Sequence, residues 1–455
     1  MSRTVGDRVV HTNSFTQDVK KNWTNKLQSI EMGKDFRVNI GDVIQDNGGT
    51  RWQLLSIRGQ GTCCCLYKAQ CIGDPRSVVA VKVFRPGDNF ALACEKEWDI
   101  LQIPTMQQCR QSVRVLDRFT WNGHPCLMEE LLDASVKETM HQAPGGRLPL
   151  FTIQLFLRNL LGVLEHLHSA GIVHGDIKPA NLLWSPEQGA LKLIDFGLSF
   201  FDHRPDMRYL QSPGYRSPET TTWNNSHAQQ GEACSATLWS AADIWSVGCI
   251  AMEIVSGEKL FSSKRGDAEP TVCPSCQGSP TARCQYNQLI DQWFDRLAPT
   301  VIGPAPSYYD YVLFSELKDF ISRCLVCHSS QRDSASQLRQ HSLLNRLIVP
   351  SIHDMMLLPS PILRLENVAD DIDLDNPAYR EGIKFSILEI CASFGPVVTC
   401  LLPTLEPVRG RVYVEFQRSE DCTRAVRKLP GMTFNNRTLV TAYLPLSLWA
   451  CRQLL

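Results

Sequence analysis

The chain has almost no net charge. Lysine plus arginine number 46 and aspartate plus glutamate 47, a formal charge of −1 at pH 7. So even a balance gives no electrostatic basis for a nucleic-acid coat or a membrane-surface protein. No run of basic residues reads as a strong localisation signal. Long apolar runs are also missing: a stretch such as Leu160–Leu167 falls far short of the roughly 20 residues that cross a bilayer, so no membrane association is expected. The opening Met-Ser-Arg-Thr-Val-Gly lacks the apolar core of a signal peptide, and Ser2 stands where myristoylation requires glycine. Without a secretory leader, the 18 cysteines read as reduced thiols and not as a disulfide framework. Most, such as Cys126, Cys249, Cys391 and Cys400, sit in apolar segments, where the thiol behaves as a small hydrophobe. Cys273 and Cys276, with Cys284 beyond, have half of a zinc-site spacing but no fourth ligand nearby, so the reading is a reduced, solvated insert.

What is present falls into blocks. A length of 455 residues suggests about two to four domains. Residues 1–46 are polar and weakly patterned, a flexible arm with a strand expected near Phe36–Ile40. Residues 47–349 begin β-rich and continue helical. A hairpin is predicted over Arg51–Gln70, a strand over Val78–Phe84, a helix over Ala91–Leu101 and an amphipathic helix over Leu150–His168. The stretch 261–285 is polar and loop-like. Prolines at 350, 359 and 361 mark a linker, 350–360. Residues 361–446 then read strand, helix, strand, strand, helix, strand, the βαββαβ order of a ferredoxin-like RNA recognition motif, with a tail at 447–455.

The chemistry-bearing motif is His174-Gly-Asp-Ile-Lys-Pro-Ala-Asn181, with Asp195-Phe-Gly197 fourteen residues after Asn181. It resembles the protein-kinase pattern H-R-D-x-K-x-x-N followed by D-F-G, with Gly175 in place of arginine. Phosphoryl transfer is mostly positioning and charge stabilisation, and the parts occur in order. Gly59 and Gly61 open a phosphate-covering loop, with Cys64 at the third glycine position. Cys63, Cys64 and Cys65 read as packing cysteines, with a redox or electrophile-reactive role the rival. Lys82 is the strand lysine for the α- and β-phosphates. Glu97 is its carboxylate partner, and Glu95 points elsewhere because residues i and i+2 of a helix face different ways. Asp176 is the base for the acceptor hydroxyl. Lys178 stabilises the transferring group and marks a Ser/Thr acceptor by resemblance, and Asn181 and Asp195 hold Mg²⁺ on ATP. Pro218-Glu219 closes the activation segment, with Arg332 placed to pair with Glu219. Arg216 sits where proline-directed kinases also carry arginine, which implies Ser/Thr-Pro substrates. The residue at the back of the adenine pocket is either Met128 or Glu129, and Met128 is chemically preferred. Without the arginine replaced by Gly175, an activation-loop phosphate loses a bidentate partner, so activity independent of that phosphate is expected.

In the C-terminal block the third strand reads Arg409-Gly-Arg-Val-Tyr-Val-Glu-Phe416. Arg411 and Arg364 take two base-stacking positions and leave Tyr413. From Pro359 onward, acidic and basic residues number eleven each, so RNA binding is not expected.

Leu131-Leu-Asp133, Leu193–Phe200, Gly214–Glu219 and Leu357–Pro361, together with the order of the blocks, resemble the UHM kinase family, also called kinases interacting with stathmin. The resemblance covers about residues 50–446. It implies an α+β chain: a bilobal kinase fold followed by an RNA recognition motif of the UHM type. It also implies a nuclear protein whose C-terminal domain docks Trp-containing peptides of splicing factors, with splicing factor one and stathmin as substrates; a monomer, present also in the cytoplasm, is the further expectation. The family's docking loop is R-x-F; here it reads Met432-Thr-Phe434, keeping the phenylalanine and losing the arginine. The acidic first helix that receives basic ligand residues has Asp370, Asp371, Asp373 and Asp375 as substitutes. The rival readings are a catalytically dead scaffold and an RNA-binding regulator.

Overall fold

The computed structural model describes residues 38–61, 63–202, 209–225, 238–273, 284–301, 308–369, 374–404 and 408–454. The chain separates into two compact units, one of residues up to 95 with 115–131, the other of 96–114 with 132 onward.

The first unit is a six-stranded antiparallel sheet in the order β1-β2-β3-β4-β6-β5. Its strands are β1 (Val43–Gln45), β2 (Arg51–Gln60), β3 (Cys64–Cys71), β4 (Val78–Phe84), β5 (Val115–Trp121) and β6 (His124–Glu130). Alternation in β4 and β6 sends Val79, Val81, Val83 and Met128 into one core with Leu54, Tyr67 and Phe119. The predicted hairpin and the following strand are β2–β3 and β4. Helix α1 (Asp88–Leu101) begins in this unit and ends in the other. No strand occupies Val38–Ile40; Phe36 lies outside the described residues. The segment read as an arm instead contributes β1 and the buried Val38, because Ile44 fills the sheet's core.

The second unit is helical. It contains α2 (Leu150–Ser169), α3 (Pro218–Asn225), α4 (Ser240–Ser256), α5 (Gln285–Val301) and α6 (Tyr308–Cys324), with the short hairpin β8 (Leu182–Ser185) and β9 (Ala190–Leu193) and the two-residue pair β7 (Ile172–Val173) and β10 (Phe200–Phe201). By length and composition α2 could cross a membrane, contrary to the expectation that no run is long enough. Two thirds of it is buried within the protein, however, as the central helix of this unit. Cys273 and Cys284 are buried, while residues 263–269 of the insert are exposed; Cys276 lies outside the described residues. Among the described residues no group of His, Cys, Asp or Glu has metal-binding geometry.

The C-terminal module belongs to this same unit. The linker is not bare: α7 (Ile352–Leu357) forms within it, closed by a capping box from Ser351 and Asp354. Then come β11 (Ile362–Glu366), α8 (Pro377–Ala392), β12 (Val397–Leu401), β13 (Val412–Phe416), α9 (Ser419–Lys428), the hairpin β14 (Thr433–Phe434) and β15 (Arg437–Thr438), and β16 (Val440–Tyr443). The sheet order is β12-β13-β11-β16. Leu363, Leu365, Val412 and Val414 pack with Ile383 and Ile387 of α8 and Ala425 of α9. The expected tail is partly α10 (Leu446–Ala450), whose Trp449 packs with Tyr413, Ile362 and Leu444 on the opposite face of the sheet.

Candidate active site

The catalytic loop is built around buried Asp243 of α4. One of its carboxylate oxygens accepts the His174 N–H at 2.8 Å, the other the Gly175 N–H at 3.0 Å. This holds two successive amides and turns the chain at Gly175, whose φ is 76°. A Cβ there would lie 2.8 Å from the Leu198 carbonyl oxygen. The missing arginine therefore has a local cause: this turn has no room for a side chain. His174 also places Nε2 3.1 Å from the Ile194 carbonyl and packs edge-on against Phe196, ring centroids 5.0 Å apart. The loop and the Asp195-Phe-Gly197 turn are thus joined.

Asp176, Lys178 and Asn181 converge. Asp176 Oδ2 accepts from Lys178 Nζ at 2.6 Å and from Asn181 Nδ2 at 3.3 Å, and the Asp176 carbonyl accepts from Asn181 Nδ2 at 3.0 Å. The sequence reading missed Ser212. Its N–H and Oγ–H donate to Asp176 Oδ1 at 3.1 and 2.7 Å, and Lys178 Nζ reaches its Oγ at 3.1 Å. The only signal was a hydroxyl two residues before Gly214 in the activation segment. A carboxylate held by four donors is fixed in orientation, as a base that must meet one hydroxyl requires. Asp195 is left-handed, at φ 65°. Its carboxylate and the side-chain oxygen of Asn181, whose Nδ2 is engaged by Asp176, make an all-oxygen donor pair suited to Mg²⁺.

Glu97 is fully buried on α1 and accepts the Phe196 N–H at 3.1 Å. Glu95 turns away to Arg118, 3.2 Å distant, as helical spacing requires. In the small unit Lys82 is buried on β4. Cross-strand partners share a face, and Lys82 lies opposite Leu127, Ala80 opposite Glu129 and Val81 opposite Met128. Glu129 therefore shares the Lys82 face, while Met128 points into the core with Val81. This corrects the preference for Met128 at the back of the adenine pocket: the period of two decides the face, whatever the chemistry of the residue. Gly59 pairs with Leu66 just after a register shift in β2, and Gly61 donates its N–H to the Cys64 carbonyl at 2.9 Å. Cys65 is buried, and burial raises its thiol pKa, which fits packing and not reactivity.

Further along, Arg332 pairs with Glu219 at 2.7 Å. Arg216 Nε donates to the Gln211 carbonyl at 3.0 Å, and its Nη1 meets Glu269 of the insert. Phe434 is half-buried against the module's core, while Met432 is exposed beside it. Asp370, Asp371 and Asp373 lie outside the described residues, and Asp375 pairs with Arg409.

Residues 52–344 match the protein kinase domain, and residues 385–440 the RNA recognition motif. The serine/threonine-protein kinase Kist of Homo sapiens is 34% identical over 410 residues, covering 88% of this chain and 93% of that protein. The Rattus norvegicus protein of the same name matches equally. The probable serine/threonine-protein kinase dyrk2 of Dictyostelium discoideum is 27% identical over 358 residues, 74% of this chain and 38% of that protein.

Proposed function

The chain belongs to the protein kinase family, as a serine/threonine-protein kinase with a C-terminal RNA recognition motif, and on that premise we propose that it is proline-directed, moving the ATP γ-phosphoryl group to a serine or threonine followed by proline. One observation carries this reading. Gln211 is a non-glycine residue at φ 55° whose carbonyl is taken by Arg216 and whose N–H donates to the Gly175 carbonyl at 2.8 Å. The next residue, Ser212, is bonded to the base, so Gln211 lies beside the acceptor. Its carbonyl is turned toward Arg216 and away from the N–H of the residue after the acceptor in this proposal. An ordinary residue would lose a hydrogen bond there, at roughly 1–3 kcal/mol; proline has no N–H to satisfy. Asp176 accepts the acceptor's proton, Lys178 neutralises the phosphoryl oxygens, and Asn181 and Asp195 would hold Mg²⁺, which would supply charge neutralisation of the phosphates. Lys82 and the Gly59–Gly61 loop serve the nucleotide.

The test compares Ser-Pro and Ser-Ala peptides. A kcat/KM ratio of about 10–100 is expected, reduced in Arg216→Ala; equal rates in the unmodified protein would sink the reading.

The module's role in this proposal is to dock splicing-factor peptides at Phe434 and Met432 in the nucleus, with splicing factors and stathmin as substrates. Protein recognition is favoured over RNA by the burial of Tyr413, the one remaining stacking aromatic, which has no exposed surface. A Trp-containing peptide should bind the full chain and lose affinity in Phe434→Ala, whereas binding of single-stranded RNA at low salt would argue for the other reading.

A further inference from the structure

Helices α2 and α9 of the large unit, like α4 and α10, lack a side-chain cap from the residue that precedes them. Helix α2 starts after Pro149, and α9 starts after Arg418; neither preceding residue supplies a side-chain cap. The first turn of a helix leaves amides without partners, and in a packed setting they must find acceptors elsewhere. Helices α2 and α9 do so across the boundary between the kinase domain and the module. The Thr152 N–H and Oγ1–H of α2 donate to Asp354 Oδ1 of α7 at 2.9 and 2.6 Å. The Ser419 N–H and Oγ–H of α9 donate to Glu187 Oε1, on the turn of the β8–β9 hairpin, at 2.8 and 2.6 Å. The exchange is reciprocal: the linker caps a kinase helix, and the kinase hairpin caps a module helix.

The same surfaces carry further links. Trp184 Nε1–H of β8 donates to the Pro359 carbonyl at 2.7 Å. Gly189, in the hairpin turn at φ 59°, leaves so little space that a Cβ there would sit 2.9 Å from Leu446 Cβ of α10. Helix α7 is two-sided. Asp354 faces α2, while the Sδ of Met355 accepts from Arg364 Nη1 of β11 at 3.0 Å, on the sheet face that also carries Tyr413.

We propose that the C-terminal module is a fixed structural part of the large kinase lobe, clamped onto the β8–β9 hairpin and the start of α2 by these reciprocal caps, and that the catalytic lobe unfolds together with it. The hairpin gripped at its turn by Ser419 and Leu446 begins directly after Asn181 and ends two residues before Asp195. Loosening the turn therefore loosens the strands that carry both expected metal ligands. The partner of the α9 N-terminus is this chain's own kinase domain, and the module's second sheet face is covered by the linker helix α7 and by α10.

The test uses the full chain and reads the temperature at which kinase activity is lost, beside the melting of the module followed by hydrogen exchange in β13. Val414→Ala weakens the module's core and is remote from the active site. If lobe and module are one cooperative unit, it lowers the inactivation midpoint by the same amount as the module's melting midpoint. An unchanged inactivation midpoint with a melted module overturns the proposal. Glu187→Ala and Ser419→Ala are each expected to lower the shared midpoint by about 1–3 °C, with the double variant no worse than the worse single. Additive losses would show that the two residues do not act as one cap and would equally overturn it. Glu187→Gln, which keeps an acceptor oxygen, should recover most of the loss.

Discussion

The two larger antiparallel sheets among the described residues have the same problem and opposite solutions. In each, alternation buries one face in a hydrophobic core: Val79, Val81, Val83 and Met128 in the small unit, Leu363, Leu365, Val412 and Val414 in the module. The other faces differ. The small unit's carries Ala80, Lys82, Leu127 and Glu129, two of them charged, in line with a face kept for nucleotide. The module's carries Ile362, Arg364 and Tyr413, with Met355 of the linker helix and Trp449 of the last helix laid on it. A sheet face open to a ligand keeps its charged groups available. A face closed by its own chain turns the same kind of position into structure, and it is no longer a surface on which bases could stack.

That contrast can be broken most forcefully at Tyr413. Tyr413→Ala should destabilise the module by about 3–5 kcal/mol in chemical denaturation, with activity per folded molecule unchanged. An altered RNA affinity without a stability loss would mean that the face is a binding surface after all. On the small unit the opposite outcome is expected: Lys82→Ala should reduce phosphoryl transfer about 10²–10³-fold while the melting temperature holds. Neighbours on β6 sharpen the comparison within one strand. Met128→Ala should cost about 2–5 kcal/mol of stability and leave the KM for ATP in place. Glu129→Gln should do the reverse, changing nucleotide KM with little effect on stability. Gly175→Arg, which restores the usual kinase letter, should lose about 1–3 kcal/mol, because the turn is left-handed and filled by the Leu198 carbonyl.

The smallest effect is expected at Glu316, away from both sheets. Its hydrogen bond to Arg346, at 2.9 Å, holds the carboxyl below its ordinary value. A lowered folded-state pKa contributes stability above the unfolded value near 4.5 and loses it as pH falls through the folded value. Glu316→Gln should therefore flatten the acid side of the stability profile by less than about 1 kcal/mol, measured by denaturation at pH 3 to 6.

Much of the architecture was legible in the residues. The main strands and helices of the module follow the predicted strand, helix, strand, strand, helix, strand order, because alternation, helical spacing and turn glycines are local signals. Asp176, Lys178 and Asn181 were legible because a single short loop carries all three. Glu97 was separable from Glu95 by helix geometry alone. The failures share another cause. Whether Met128 or Glu129 faces Lys82 depends on pairing with β4, and a slip of one residue reverses the answer. Ser212 reaches Asp176 across 36 positions of chain. The linker and tail looked unstructured because α7 and α10 are too short to be stable alone; packing on the sheet and on α2 is what holds them.

By itself the sequence determined the kinase motifs, the order of elements and the residue types that chemistry needs, since each is encoded within one turn or one strand. Only the tertiary structure decided which face each strand presents and why position 175 is glycine. It also decided where the uncapped helices α2 and α9 find their acceptors and that the module's sheet is closed by its own chain. The physical reason is range. Dihedral preference and periodicity act over a few residues, whereas excluded volume at Leu198 and hydrogen bonding between Glu187 and Ser419 exist only once distant segments meet.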